Sequence, residues 1–134
     1  HLIYEGMVEQ GLAMVEAVRN RYDGVRRNPW DEVECGHHYA RAMASWSLLN
    51  ALSGFHYSAP QRTITFAPRL RGKAFRCLFS AGTAWGVYAQ SATEARIEVM
   101  GGRLVVETVR LSGVPHRLAQ VKTVREGESL KIDY

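Results

Sequence analysis

The hydrophobic period of this sequence changes once, near Phe55, and that change limits what the chain can fold into. Before it, apolar residues recur every three or four positions. After it they alternate, as in Arg62-Thr63-Ile64-Thr65-Phe66, Phe75-Arg76-Cys77-Leu78-Phe79 and Trp85-Gly86-Val87-Tyr88. A period of 3.6 buries one stripe of a helix, and a period of 2 buries one face of a strand. The pattern therefore predicts a helical part over residues 1–54 and a strand-rich part over 55–134, within a chain of 134 residues that has room for one core.

In the first part, Tyr4, Val8, Gly11, Val15, Val18 and Tyr22 recur at alternating steps of four and three, which predicts an amphipathic helix ended by Asp23-Gly24. Met7, Leu12 and Met14 widen its apolar stripe beyond what a single partner covers. Asn28-Pro29-Trp30 restarts the chain as an extended turn, because the residue before a proline avoids the helical region. A second helix is expected from about His37 to Leu52. It carries Tyr39, Met43, Trp46 and Leu49 on one face and Ala40, Ala44, Ser47 and Ala51 on another, so it reads as buried nearly all round.

Among the strands, Ala95 to Met100, Gly101-Gly102 and Arg103 to Leu111 spell a hairpin, since two glycines supply the positive φ angles of a two-residue turn. A last pair, Ala119 to Val124 and Ser129 to Asp133, flanks Glu126-Gly127. The expected fold class is α+β, two helices followed by about six strands, with neither layer fully partnered inside this chain.

Hydrophobic residues at 46% and charged residues at 22% describe a globular chain and exclude a disordered tail. No apolar run reaches the length of a spanning helix, so no transmembrane segment is expected. The net charge of +4 is mild and its arginines are scattered, so no nucleic-acid partner is expected. Two cysteines, Cys35 and Cys77, offer no disulfide framework, and a reducing compartment, by default the cytoplasm, follows. Peripheral membrane association stays open. The chain starts at His1 inside a periodic pattern, as a cut helix would, and reads as a fragment.

Polar and aromatic residues are densest between the two helices: Asn28-Pro29-Trp30-Asp31-Glu32-Val33-Glu34-Cys35-Gly36-His37-His38-Tyr39-Ala40-Arg41. Glu32 ahead of the helix and Arg41 about one turn inside it are placed to face one mouth. A carboxylate accepts two hydroxyl protons and a guanidinium donates two bonds in a plane, which suits neighbouring sugar hydroxyls. A loop carboxylate simply paired with a helix arginine fits the same spacing. Cys35, His37 and His38 match no common zinc pattern and would need His56 or Cys77 as a further ligand, so no metal is expected. Cys77 could pair with a histidine as a nucleophile, but its neighbours Phe75 and Phe79 on the same strand face mark it as a core thiol. Of the three tryptophans only Trp30 lies in the polar loop; Trp46 and Trp85 read as core, and Gly82 to Gly86 as a strand that bends or admits another segment.

The run Asn28 to Gly36, His38-Tyr39, Arg41, Ala44-Ser45-Trp46 and Ala51-Leu52-Ser53-Gly54-Phe55-His56-Tyr57 resembles the C-terminal part of the β-glucosidase family that includes the non-lysosomal glucosylceramidases. Phe66-Ala67-Pro68 and Phe79-Ser80-Ala81-Gly82-Thr83-Ala84-Trp85-Gly86 continue it, and the likeness runs to about Gln90. The resemblance implies that residues 1–134 are a C-terminal segment of a glycoside hydrolase catalytic domain. Its helices would be an antiparallel pair closing an (α/α)6 barrel, and its partners a glucoside substrate and the rest of the parent enzyme. It implies a retaining β-glucosidase whose two catalytic carboxyls, roughly 5 to 5.5 Å apart, lie upstream of this chain, which alone would be inactive. Glu32 then matches a glucose-binding glutamate and Arg41 a sugar-binding arginine, with no catalytic residue, no metal and no cofactor here. Glu34, Cys35 and His38 share the motif without an assigned role. A non-catalytic carbohydrate-binding or interaction module is the alternative.

Overall fold

The computed structural model describes residues 1–29, 31, 40–70, 72 and 74–133, with the backbone alone for 40–43. The chain divides into two compact units, His1–Leu52 and Ser53–Tyr134. The expected fold class does not hold. Among the described residues the structure is largely β, with two helices and one curled, mixed sheet of seven strands, rather than a helix pair from a barrel followed by six strands. The physical reason is that the strands fill a core from their own inner faces, as set out below.

In the first unit, helix α1 spans Val8–Arg19 and α2 spans Ala40–Ser53, just past the unit's boundary. Helix α1 begins four residues later than Tyr4 because the chain first turns back on itself. Gly6 adopts φ +85°, and the amides of Gly6 and Met7 donate to the carbonyls of Ile3 and Leu2. Ile3 is thereby laid on Gly11, where a side chain would collide with it, and these two are buried. The rest of the apolar stripe is only partly covered: Val8, Leu12, Val15 and Tyr22 are half-buried, Met14 is 61% exposed, and Tyr4, Met7 and Val18 are exposed too. Helix α2 is not buried all round either. Trp46 is 62% exposed, Leu49 is half-buried, and among the described side chains Ala51 and Ser53 alone are buried. After α1, the Asp23 carboxylate accepts the amides of Val25 and Arg26 at 3.0 and 2.8 Å, bonds that hold its pKa below the ordinary range.

The second unit is organised by one long strand. Strands β1 (His56–Ser58), β2 (Thr63–Phe66), β3 (Phe75–Ser80) and β4 (Ala84–Gln90) precede it; β5 runs Glu94–Leu111; β6 (Val114–Arg125) and β7 (Ser129–Asp133) follow. The first half of β5 lies between β4 and β7, with β3 outside β4. Its second half lies between β2, which is parallel to it, and β6, with β1 outside β2. The two halves turn their apolar faces to a common core. Ala95, Ile97 and Val99 are buried in the first half, and Leu104, Val106, Val109 and Leu111 in the second. Phe66 of β2 stacks flat on Tyr88 of β4, with centroids 3.8 Å apart and planes 3° from parallel. Burial of such rings dominates the stability of a small core.

Gly101-Gly102 is therefore not a hairpin turn but a corner inside β5. Gly102 takes φ +78°, and a methyl group there would run into the carbonyl of Thr83; Gly101 lies under the indole of Trp85. Glycine in a strand marks such bends and close approaches. Glu126-Gly127 is a corner of the same kind. Residues β6 and β7 are not hydrogen-bonded to each other as a hairpin; both pair with β5, and the link between them bonds to β5 through Glu126 N to Gly102 O, Gly127 N to Val99 O and Val99 N to Glu128 O. The two-residue hairpin turn is Ser112-Gly113, where φ is +49° and +91° and Leu111 faces Val114. Positive φ at both central positions is the turn that matches strand twist.

Candidate functional site

Most of the loop that carries the sugar-binding expectation lies outside the described residues. That holds for Glu32, and for Trp30, Val33, Glu34, Cys35, Gly36, His37, His38 and Tyr39. Arg41 is described in its backbone alone, as the second residue of α2. On the described side of the loop, the Asp31 amide donates to the carbonyl of Asn28 at 3.3 Å, closing a turn around Pro29. Arg19 reaches the carbonyl of Tyr22 at 2.7 Å, and the Arg27 guanidinium sits 5.7 Å from the centre of the Tyr22 ring. Arginine over an aromatic face is a weak attraction at an exposed site, enough to bias the loop but not to fix it.

Three of the later segments that carry the resemblance meet in space, through residues 53–55, 66–67 and 79. The Ala67 amide donates to the Ser53 carbonyl at 2.8 Å, and Gly54 approaches Ala67 so closely that a side chain there would strike its carbonyl. Phe55 lies 5.4 Å from Phe66 and 5.9 Å from Phe79, and Phe66 and Phe79 are 5.9 Å apart, centre to centre. Ser53, Gly54, Phe55, Phe66, Ala67 and Phe79 are thus one packing cluster. Its three phenylalanine side chains pack against one another.

Cys77 belongs to that cluster. It is buried on the inner face of β3 beside Ser53, and burial pushes its thiol up to about 11, against a smaller opposing effect of the Ser53 hydroxyl hydrogen bond. A thiol so raised stays protonated at neutral pH and is neither a nucleophile nor a ready metal ligand. His56, on β1, is exposed, so it and Cys77 turn to different surroundings. Among the described residues, no three His, Cys, Asp or Glu side chains gather as a metal site would require.

Two tryptophans expected in the core are at the surface. Trp46 is on α2, and Trp85 lies at the β5 corner on Gly101. The misplacement of Trp85 follows from the glycine pair. A hairpin turn at 101–102 leaves no strand for the indole to lie on, whereas a continuous β5 puts Gly101 directly opposite Trp85. Among the described residues no helix is long and apolar enough to cross a membrane. No model of a known protein family matches this chain, and no curated protein matches it either.

Proposed function

We propose that this chain supplies part of the glucose subsite of a retaining β-glucosidase of the glucosylceramidase type, with Glu32 and Arg41 holding the sugar. What carries the reading is the ordered run of motifs from Asn28 to Tyr57, continued by Phe66 to Pro68 and Phe79 to Gly86. The meeting of the later motifs in one packing cluster supports treating the run as a unit. In this reading Glu32 accepts hydrogen bonds from sugar hydroxyls and Arg41 donates to them. The nucleophile and the acid/base carboxyl come from residues outside this chain, which binds and orients but does not cleave. Bonds to sugar hydroxyls that strengthen as the ring distorts act on the transition state more than on the ground state.

The test is made on the natural gene product containing this sequence, assayed with an aryl β-glucoside. Glu32→Gln and Arg41→Gln are each expected to lower kcat/KM about tenfold to a hundredfold, the loss of one charge-assisted hydrogen bond, with the melting temperature unchanged. Unchanged kcat/KM in both variants overturns the assignment. The alternative, a non-catalytic carbohydrate-binding or interaction module, draws on the largely β architecture of residues 53–134. It is favoured if the gene product binds glucosides without hydrolysing them.

A further inference from the structure

The strand unit carries a second cluster that Glu32 and Arg41 do not explain. Past the corner of β5, Arg103 and Arg125 are direct cross-strand partners, both exposed. Like charges placed opposite each other in an antiparallel pair repel, and an anion held between them would relieve that repulsion. Among the described residues neither guanidinium has an ion-pair partner; the ion pairs described there are Arg117 with Glu107 and Lys131 with Glu94. Glu128, the acid nearest in sequence on the far side of the turn, has one carboxylate oxygen engaged by the amide of Arg125 at 2.8 Å.

The two arginines line an open concavity of about 670 Å³ together with Thr83, Gly102 and Glu126. Its floor is held in place. The Arg103 amide donates to the Thr83 carbonyl at 3.0 Å, and the Thr83 hydroxyl donates to the Arg103 carbonyl at 3.0 Å. Trp85 packs on Gly101, the residue before Gly102 of that lining. Any side chain at Gly101 would displace its indole, yet Trp85 remains 49% exposed. Arg103 follows Gly101 by two residues, across the corner at Gly102. An exposed indole and two guanidinium groups without an ion-pair partner among the described residues thus flank one corner of β5.

We propose that this corner binds an acidic sugar unit of a glycan, its ring lying on Trp85 and its carboxylate or sulfate held between Arg103 and Arg125. The C–H face of a pyranose is apolar and suits an indole face, and guanidinium forks donate paired bonds to planar or tetrahedral oxyanions. Charge points the same way: residues 53–134 hold twelve of the seventeen Lys and Arg residues but six of the thirteen Asp and Glu residues. A single-stranded nucleic acid also offers rings and anions, but such strands are held by successive aromatic platforms. Trp85 is the one exposed large aromatic among the described residues of this unit. The inference is independent of the glucose subsite, since it uses no residue of the loop.

The experiment follows the indole N–H of Trp85 by NMR in the 134-residue chain, assigned with Trp85→Phe. Four probes are titrated: an oligogalacturonate, a chondroitin sulfate oligosaccharide, a neutral cello-oligosaccharide and an oligothymidylate. One or both acidic sugars are expected to shift the Trp85 signal to saturation, which tells carboxylate from sulfate, while the neutral sugar leaves it in place. Arg103→Gln with Arg125→Gln removes exposed side chains alone and is expected to weaken binding at least tenfold. Glu126→Gln, which removes the carboxylate at the rim, is expected to strengthen it. Trp85→Ala should abolish binding, but it also uncovers Gly101, so the arginine pair decides. No shift with either acidic sugar, or affinity unchanged by the double arginine variant, overturns the proposal; tighter binding of oligothymidylate than of either acidic sugar reassigns the corner to nucleic acid and overturns it too.

Discussion

The two units of this chain solve the problem of burial differently. Residues 53–134 close a core by curling one sheet on itself, so that Phe66, Tyr88, Ile97, Leu104 and Val106 are almost wholly removed from water. Among the described residues of the first unit the buried apolar side chains are Ile3 and Ala51, while Met14, Val18 and Trp46 face solvent. Helical periodicity by itself thus says that a face wants cover. It does not say that the cover is found. Strand alternation in this chain goes further, because β5 is long enough to present both of its halves to the same interior.

The comparison is sharpest where equal chemistry gives unequal cost. Tyr88→Ala removes a ring stacked on Phe66 and leaves a cavity, which is expected to destabilise the strand unit by about 3 to 5 kcal/mol. Met14→Ala deletes a side chain of similar length from an exposed position and should change stability by less than about 0.5 kcal/mol. Urea denaturation followed by far-ultraviolet circular dichroism measures both. A cost for Met14→Ala that rivals that of Tyr88→Ala breaks the contrast and puts a core under α1.

Within the strand unit the same logic separates two glycines of nearly identical φ. Gly102 at +78° has the Thr83 carbonyl where a Cβ would go, whereas Gly127 at +80° has open space there. Gly127→Ala therefore incurs backbone strain alone, about 1 kcal/mol, and Gly102→Ala adds a collision, for about 2 kcal/mol or more. Equal costs would mean that the corner yields and that β5 is not held by Thr83.

That corner also shows how far the sequence could be read. The strands themselves were legible, since Cys77, Phe79, Ile97 and Val99 alternate cleanly with exposed neighbours. Gly101-Gly102 misled because glycine serves a hairpin and a bend equally well, and composition does not tell them apart. Nor does parity at that point. The inward residues are odd-numbered through Val99, even-numbered at Leu104 and Val106, and odd-numbered again at Val109 and Leu111. Each switch of parity coincides with an irregularity in the pairing of β5, one opposite Trp85/Gly86 and one between Val106 and Thr108. A two-residue hairpin at 101–102 would pair Val99 with Leu104 and give the same first switch; what marks the bent strand is the pairing itself, with Gly101 opposite Trp85 and Gly102 opposite Ala84 in the ladder.

The candidate sites differ in legibility for a related reason. Glu32 and Arg41 are neighbours in a short motif, so residue type and spacing raise them without any tertiary knowledge. Arg103 and Arg125 are 22 positions apart and meet because β6 and β7 bend with β5. No local pattern announces that. The packing cluster of Ser53, Phe55, Phe66 and Phe79 is similar, being motif residues whose shared purpose emerges only once the strands are folded.

Cys77 at the centre of that cluster provides the gentlest test. Its folded thiol titrates near 11 and its unfolded thiol near 9.0, because burial disfavours the thiolate. A pKa raised on folding leaves stability unaffected below the unfolded value and erodes it as pH rises from there to the folded value. The unfolding midpoint should therefore be flat with respect to this group up to about pH 9 and fall toward pH 11 as the unfolded chain gains a thiolate that the core refuses. Cys77→Ala removes that fall while lowering stability slightly at every pH, since the side chain is buried against Ser53 and its β3 neighbours. Midpoints measured at pH 8 and pH 10.5 for both proteins suffice. Parallel losses in the two proteins would place Cys77 within reach of water, and with it the seam of the cluster where the motif segments meet.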